Sequence, residues 1–201
     1  MRKFGLAAAA ALAALAFAAP AQADVLDKFQ IKFGVSGVLP DERGDPIDVD
    51  ISDEYVPSLQ IEYFFNDNVS AELLCCLATH DVTAASGAID LGEVTHFPPT
   101  VTLKYRWTNL GQFEPYVGAG VNYTAFIDSD PPAGRHVDYD SSFGPALQVG
   151  ADYRLNERWS LNFDVRRIWI NTDVTISGDI NATDEVDINP WVISTGIGYR
   201  F

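Results

Sequence analysis

The sequence predicts an all-β protein: an eight-stranded antiparallel transmembrane up-and-down β-barrel, preceded by a cleaved signal peptide. Eight segments alternate apolar residues with small or polar ones, which is the period-two pattern of a β-strand. The connections between these segments are alternately short and long. The last segment ends on the aromatic Phe201, and an apolar outer face bordered by aromatic residues is typical of a strand that crosses a membrane.

The first 23 residues are typical of a secretory signal peptide. Arg2 and Lys3 precede a run rich in Ala and Leu, and the small-residue site Ala21–Ala23 follows Pro20. The run is too short for a transmembrane helix and leads directly into a polar segment. We therefore expect residues 1–23 to be the signal peptide and residues 24–201 to form the outer-membrane β-barrel.

The eight predicted strands follow one another along the mature chain. They cover residues 29–36, 57–65, 69–77, 99–107, 117–124, 147–154, 159–166 and 191–200. Eight is an even number and the minimum for a closed transmembrane barrel. The interior of such a barrel is just wide enough to be filled by side chains or to hold one small ligand.

The connections between the strands indicate which end of the barrel faces outward. Short turns occupy residues 66–68, 108–114 and 155–158, whereas long loops rich in Asp and Gly occupy residues 39–54, 80–95, 127–142 and 171–187. Strict alternation predicts periplasmic turns, external loops and two periplasmic termini. The alternative is a soluble lipocalin-like barrel, which would have to bury the face that carries Lys, Arg, Asp and Glu at a heavy cost.

The composition argues against nucleic acid as a partner. The chain has 28 acidic and 13 basic residues and a net charge of −15, whereas binding to phosphate groups requires a basic surface. A lipid-modifying enzyme is a further alternative, for which His80, Asp81 and Ser86 supply the residue types of a catalytic triad. Adjacent strand residues point in opposite directions, however, so this spacing forms no triad. We expect neither an enzyme nor a cofactor.

Several strings resemble one family of membrane proteins. They are Pro98–Thr100 at the start of the fourth strand, Pro115–Thr124 in the fifth, and the terminal Gly198–Phe201. On these strings the chain resembles the outer membrane protein W family, which includes the AlkL-type proteins. The resemblance implies an eight-stranded barrel in the outer membrane of a Gram-negative cell, with a narrow and largely apolar passage for small hydrophobic compounds. It does not imply an enzyme.

The residues predicted to face the lumen fall into two layers. The layer toward the periplasm is a charged plug that comprises Lys32, Glu62, Glu72, Lys104, Arg106, Asp152, Arg154, Asp164, Arg166 and Arg200. The layer toward the outside is an apolar cup that comprises Leu74, Cys76, Ile168, Pro190 and Val192. Charges of both signs in so narrow a barrel pair across its interior and close it to a continuous water column.

This arrangement predicts a passive channel for small hydrophobic molecules. An apolar solute enters the cup from outside, meets the plug and leaves sideways through the wall into the membrane. Pro57, Pro99, Pro145 and Pro190 lie near the outer ends of strands, where a missing N–H weakens the wall or simply ends a strand. The expected partners are outer-membrane lipid, lipopolysaccharide, the hydrophobic solute and, through the C-terminal strand, the barrel-assembly machinery.

A second function remains open on the sequence alone. The protein could instead be a structural or surface-interaction barrel, with acidic loops that bind external partners and a lumen that carries nothing. How far the polar layer extends along the lumen distinguishes the two functions. A plug that continues along the whole lumen favours the structural barrel, and an apolar outer half favours the channel.

Overall fold

The computed structural model describes residues 23–45, 49–85, 87–178 and 181–201. Residues 1–22 of the predicted signal peptide and Ser86 of the candidate triad lie outside them. A short helix, α1 (Ala23–Leu26), comes first. The strands of the described residues are β1 (Phe29–Leu39), β2 (Arg43–Asp45), β3 (Val49–Ile51), β4 (Glu54–Phe64), β5 (Val69–Cys76), β6 (Ala78–Ala84), β7 (Ile89–Phe97), β8 (Thr100–Arg106), β9 (Phe113–Asp130), β10 (Arg135–Tyr139), β11 (Ser142–Arg154), β12 (Trp159–Ile168), β13 (Asn171–Gly178), β14 (Ala182–Asp187) and β15 (Trp191–Arg200). Among these residues, no helix is long and apolar enough to cross a membrane.

Eight strands form a closed antiparallel barrel, which confirms the predicted fold. Their order around the barrel is β1, β4, β5, β8, β9, β11, β12 and β15, and β15 pairs again with β1. Each of the eight predicted strands corresponds to one of these. The barrel closes because β1 and β15 are in register from Gln30 opposite Arg200 to Leu39 opposite Trp191.

The two faces of each strand differ in polarity. In β1, the Phe33 side chain is 65% exposed on the outer face while the neighbouring Lys32 is 1% exposed on the inner face. In β12, Phe163 is 55% exposed and the neighbouring Asp164 is completely buried. Alternation therefore places hydrocarbon outside and charge inside, which is the polarity of a barrel in lipid.

Aromatic side chains border the barrel at the end that carries the short turns. Phe29 and Tyr63 meet with ring centroids 5.0 Å apart, Tyr105 and Trp107 at 5.2 Å, and Trp159 and Tyr199 at 4.9 Å. Aromatic residues favour the boundary between lipid and water, because their rings are apolar and their polar atoms reach headgroups.

The long connections contain more regular structure than predicted. The β6–β7 hairpin pairs with the outer part of β9 and with β3, while β10, β13, β14 and β2 form a separate four-stranded sheet. These strands enclose an apolar cluster that includes Val82, Leu91, Val137 and Val186. These strands are hard to predict from the sequence, because their outward residues are solvent-exposed Asp and Glu side chains, which are equally common in loops. We call this part the outer extension.

Candidate functional site

The lumen toward the short turns contains a continuous network of charged side chains. Its members, which we call the lumen network, are Lys32, Glu62, Glu72, Lys104, Arg106, Glu114, Asp152, Asp164 and Arg166. All of them are buried. Such groups persist in a buried position only when they are paired, since an isolated buried charge is very costly.

Two lysines and two glutamates form the centre of the lumen network. Lys32 Nζ lies 2.7 Å from Glu62 Oε2 and 2.7 Å from Glu72 Oε2. Lys104 Nζ lies 3.1 Å and 2.9 Å from the same two oxygens. Because β1, β4, β5 and β8 supply these four side chains, the network joins four consecutive strands across the inside of the wall.

Further ion pairs continue the network to the other side of the barrel. Arg166 Nη2 donates to Glu72 Oε1 at 2.6 Å. Arg106 Nη1 lies 2.7 Å from Asp152 Oδ2, and its Nη2 donates to Glu62 Oε1 at 2.9 Å. The lumen is therefore crossed by side chains at this level and offers no open column for water.

Glu114, Tyr116 and Gln148 are among the buried inward residues at this level that the sequence did not single out. Tyr116 and Glu114 continue the inward face of β9 two and four residues before Gly118, and this parity could have identified them. Glu114 Oε2 accepts from Arg106 Nη1 at 3.0 Å. Tyr116 is 1% exposed, and its ring lies 3.7 Å from Lys104 Nζ. Gln148 Nε2 donates to Glu72 Oε1 at 2.9 Å.

A glycine makes room for this layer. A Cβ atom at Gly150 would lie 2.6 Å from Asp164 Cβ and 2.7 Å from the Tyr116 hydroxyl oxygen. Both distances are shorter than contacts between such atoms in real proteins. The large inward side chains therefore require the absence of a side chain at this position.

Two residues of the predicted plug lie at the end of the barrel that carries the short turns, outside the buried network. The Arg154 side chain is 50% exposed, although its Nε lies 2.9 Å from Glu114 Oε1. Arg200 is half-buried, and its guanidinium lies 4.0 Å from the centre of the Phe64 ring. Both residues follow the inward face, but the barrel opens to solvent at this end.

The residues of the predicted cup are buried, and the structure brings three of them together. Leu74, Ile168 and Val192 form one apolar cluster with Ala146 and Ile170. Cys76 and Pro190 are buried outside that cluster. The apolar layer thus lies directly above the lumen network and is packed rather than open.

Free space lies farther out, between the apolar cluster and the outer extension. A small pocket of about 30 Å³, partly open to solvent, occupies this level. Its apolar lining includes Val38, Ile51, Val82, Val94, Phe126 and Ile188, and Pro190 of the predicted cup also borders it. We call it the outer pocket.

Two histidines, His80 and His96, line the outer pocket. The His80 and His96 rings stack with centroids 5.0 Å apart and an angle of 10° between their planes. His80 Nδ1 lies 2.6 Å from the Ser52 carbonyl oxygen. Burial lowers the pKa of His80, and it lowers the pKa of His96 to about 3, with a further contribution from the neighbouring His80. Both imidazoles are therefore neutral at pH 7.

The barrel wall is interrupted beside the apolar cluster. Pairing between β5 and β8 ends with Leu74 opposite Thr100, and pairing between β6 and β7 begins with Ala78 opposite His96. Between these two pairs, in a part of the chain that the structure describes fully, residues 75–77 and 97–99 form no ladder with each other. Two of these six residues are prolines, which have no N–H to donate. We call this interruption the wall gap.

The wall gap has an apolar lining. Leu77 and Phe97 are exposed on the outside, while Cys76 and Pro98 are buried on the inside. On the far side of Pro99 the wall is intact, because the Pro99 carbonyl oxygen accepts from Tyr123 N at 3.1 Å. The interruption between β5 and β8 therefore does not extend to the side that faces β9.

Metal binding has no support in the described part of the chain, where no three His, Cys, Asp or Glu side chains converge as ligands of an ion. The acidic side chains of the lumen are instead paired with Lys and Arg. The two cysteines, Cys75 and Cys76, are both free.

A closed barrel with an apolar outer face, aromatic borders and a lumen filled by side chains defines the class of outer-membrane barrel proteins. This fold is that of porin-like outer-membrane barrels. The chain belongs to the OmpW family, whose family model matches residues 27–201. The resemblance inferred from the sequence is thereby confirmed.

Known relatives agree with this assignment. The chain is 34% identical to outer membrane protein W of Vibrio cholerae, over 98% of this chain and 97% of that protein. It is 33% identical to the dibenzothiophene metabolism operon protein PahQ of Pseudomonas aeruginosa, over 76% of this chain and 74% of that protein. The crystal structure of the outer membrane protein OprG of Pseudomonas aeruginosa superposes with a TM-score of 0.80 at 30% identity, covering 86% of this chain and 95% of that one.

Proposed function

We propose that the protein is a passive outer-membrane channel for small hydrophobic molecules, which enter the outer pocket and leave sideways through the wall gap into the membrane. The observation that carries this proposal is the position of the wall gap. The wall gap lies beside the apolar cluster, on the side of the lumen network that faces the outer pocket. An apolar molecule that cannot pass the charged side chains is therefore next to an apolar opening in the wall.

The lumen network supports a sideways exit rather than an axial one. To continue toward the periplasm, an apolar solute would have to separate Lys32 and Lys104 from Glu72 and leave their charges without partners. Separating one buried ion pair costs about 3 to 5 kcal/mol, with no gain to the solute. Movement into the surrounding hydrocarbon gains about 25 cal/mol for each Å² of apolar surface removed from water.

The close packing of the apolar cluster favours a small solute. Leu74, Ile168 and Val192 are packed together between the outer pocket and the lumen network. A solute reaches the wall gap by displacing these side chains, which have no polar atoms to desolvate. Cys76 and Pro98 border the inner side of the gap and are apolar as well.

The relatives support the same substrate class. PahQ is named after an operon for dibenzothiophene metabolism, and dibenzothiophene is an apolar aromatic compound. For the present chain we propose the same class of substrate, small apolar compounds, and no single compound.

The proposed orientation follows from the connections. The short turns and both mature termini lie in the periplasm, and the outer extension faces the cell exterior, where its acidic side chains meet lipopolysaccharide. The C-terminal strand β15 ends on Phe201 and is the segment that the barrel-assembly machinery would recognise. Its outward residues Trp191, Ile193 and Ile197 are exposed, as a lipid-facing strand requires.

Restoring backbone donors in the wall gap tests the route. The double variant Pro98→Val with Pro99→Val supplies two N–H groups just before β8 and favours continuous pairing with β5. We expect slower uptake of radiolabelled naphthalene by cells that produce this variant. Pro145→Val is the matched control, because Pro145 lies in β11, is exposed and pairs opposite Val121 away from the gap. Equal uptake through the double variant, the control and the native protein would contradict the sideways exit.

A structural or surface-interaction barrel is the second candidate function. The observation that favours it is the outer extension, in which two sheets enclose their own apolar core and present an external surface. A protein of this kind needs no wall gap. It would leave the rate of naphthalene uptake unchanged in cells that produce it.

A further inference from the structure

An open apolar cleft lies on the lipid-facing side of the barrel, toward the end that carries the short turns. Its volume is about 550 Å³. Strands β1, β12 and β15 supply its lining, which consists of Ile31, Phe33, Trp159, Ile197, Tyr199 and Phe201. All six side chains are exposed or half-buried, so the cleft is separate from the lumen. We call it the lipid cleft.

Aromatic contacts hold one end of the lipid cleft in place. The Tyr199 ring lies between two others, with its centroid 4.9 Å from that of Trp159 and 5.2 Å from that of Phe201. Edge-to-face contacts of this kind fix the orientation of a ring, and a tyrosine at a membrane boundary turns its hydroxyl toward water. The Tyr199 hydroxyl is therefore held at the rim of the cleft.

A basic side chain is fixed beside this hydroxyl. Arg158 Nη1 donates to the Tyr199 hydroxyl oxygen at 3.1 Å. The Arg158 backbone is held as well, because its N–H donates to Asn156 Oδ1 at 2.9 Å and its carbonyl oxygen accepts from Arg200 N at 2.8 Å. A guanidinium has five N–H groups, so most of those on Arg158 remain available to another acceptor.

The charge of Arg158 is not paired with a carboxylate. Within the residues that the structure describes, Arg158 forms no ion pair. Arg167, at the other end of β15, also lies beside an outward ring, 4.9 Å from the centre of Trp191, but its Nη2 is paired with Asp41 Oδ2 at 2.7 Å. A guanidinium without a carboxylate at the boundary between lipid and water is suited to bind a phosphate group.

We propose that the lipid cleft binds one anionic glycerophospholipid of the surrounding membrane. One acyl chain lies in the cleft, and the phosphate accepts hydrogen bonds from the Arg158 guanidinium and the Tyr199 hydroxyl. The Tyr199 oxygen accepts from Arg158, so its own hydrogen can donate to the phosphate. The inference goes beyond the proposed channel and does not depend on it, because the cleft lies outside the wall and away from the outer pocket.

Phosphatidylglycerol and phosphatidylcholine with identical acyl chains form a matched pair of probes, because only the second carries an ammonium group that offsets its phosphate. We expect native mass spectrometry of the purified protein to show about threefold to fivefold more bound phosphatidylglycerol, the effect of one partly exposed charge pair. Glycerol phosphate, which has the phosphate but no acyl chain, should not displace it.

The variant Arg158→Gln removes the charge, so we expect equal binding of the two lipids. Arg167→Gln is the control and should keep the preference, since the Arg167 charge is already paired with Asp41. Ile197→Trp fills the cleft and should reduce the binding of both lipids. Leu103→Trp is its control on the opposite side of the barrel, where Leu103 is 58% exposed to lipid.

Equal binding of the two lipids by the native protein, or a preference that survives Arg158→Gln, would overturn the inference. Displacement by glycerol phosphate would also overturn it, because binding would then need no acyl chain. A dimer that Ile197→Trp abolishes would assign the cleft to a second copy of the chain and would overturn it as well.

Discussion

Arg166 Nη2 donates to Glu72 Oε1 at 2.6 Å, although the strands that carry the two residues stand on opposite sides of the eight-stranded barrel. One ion pair thus spans the whole lumen. Glu72 Oε2 also lies within 2.9 Å of both Lys32 Nζ and Lys104 Nζ. Glu72 is therefore the carboxylate on which three basic side chains from three other strands converge.

Removing the charge of Glu72 should destabilise the barrel. In the Glu72→Gln variant, Lys32, Lys104 and Arg166 lose their shared partner while they remain buried. The loss of one member of a buried ion pair costs about 3 to 5 kcal/mol. We expect unfolding in urea, followed in lipid vesicles, at a clearly lower urea concentration. Asp67→Asn is the control in an exposed turn, and identical unfolding of both variants would contradict the role of Glu72.

Acid should open the outer extension between about pH 7 and pH 5. Burial lowers the pKa of His96 to about 3 and also lowers that of His80, although Glu42, Asp53 and Glu54 attract a proton to His80. A histidine in an unfolded segment has a pKa of about 6.5. Between these values the opened state binds more protons than the closed state, so the free energy of opening falls as the pH falls.

The expected loss from His96 is about 2 kcal/mol at pH 5, and the lowered pKa of His80 acts in the same direction. Amide hydrogen exchange in β6 and β7 measures it, and these amides should exchange faster at pH 5 after correction for the intrinsic pH dependence. His96→Phe should reduce the effect, whereas His136→Phe should not, since the His136 side chain is 68% exposed. Protection that does not depend on pH would contradict the burial of neutral imidazoles.

Filling the outer pocket should slow uptake of an apolar solute. Val38 lines the pocket and is 3% exposed, so the larger side chain of Val38→Phe occupies the free space. We expect the initial rate of naphthalene uptake to fall severalfold. Val35→Phe adds the same ring to the same strand on the lipid side, where Val35 is 49% exposed, and should leave the rate unchanged. Equal rates for both variants would contradict passage through the pocket.

The barrel itself was predictable because strand side chains alternate strictly between two faces. Lys32 and Phe33 are neighbours in sequence, and their opposite polarity alone assigns one to the lumen and the other to lipid. The same rule identifies the inward face of every barrel strand. It does not identify partners across the lumen, since the pairing of Glu72 with Arg166 depends on the tilt and stagger of eight strands.

The outer extension was missed for a related reason. Val82 and Leu91 point into its core, whereas Asp81 and Asp90 point to solvent. Short strands with acidic outward residues have the composition of loops. The outer pocket depends on these strands, so the stacking of His80 on His96 was not visible in the sequence. The wall gap was visible only as a group of prolines.

The most direct test of the channel compares two solutes in cells that do or do not produce the protein. Radiolabelled naphthalene measures apolar uptake, and naphthalenesulfonate, the same ring system with a charge, is the control. The proposed channel predicts faster initial uptake of naphthalene alone in cells that produce the protein. Equal naphthalene uptake with and without the protein, or equal acceleration of both solutes, would contradict a channel selective for hydrophobic molecules.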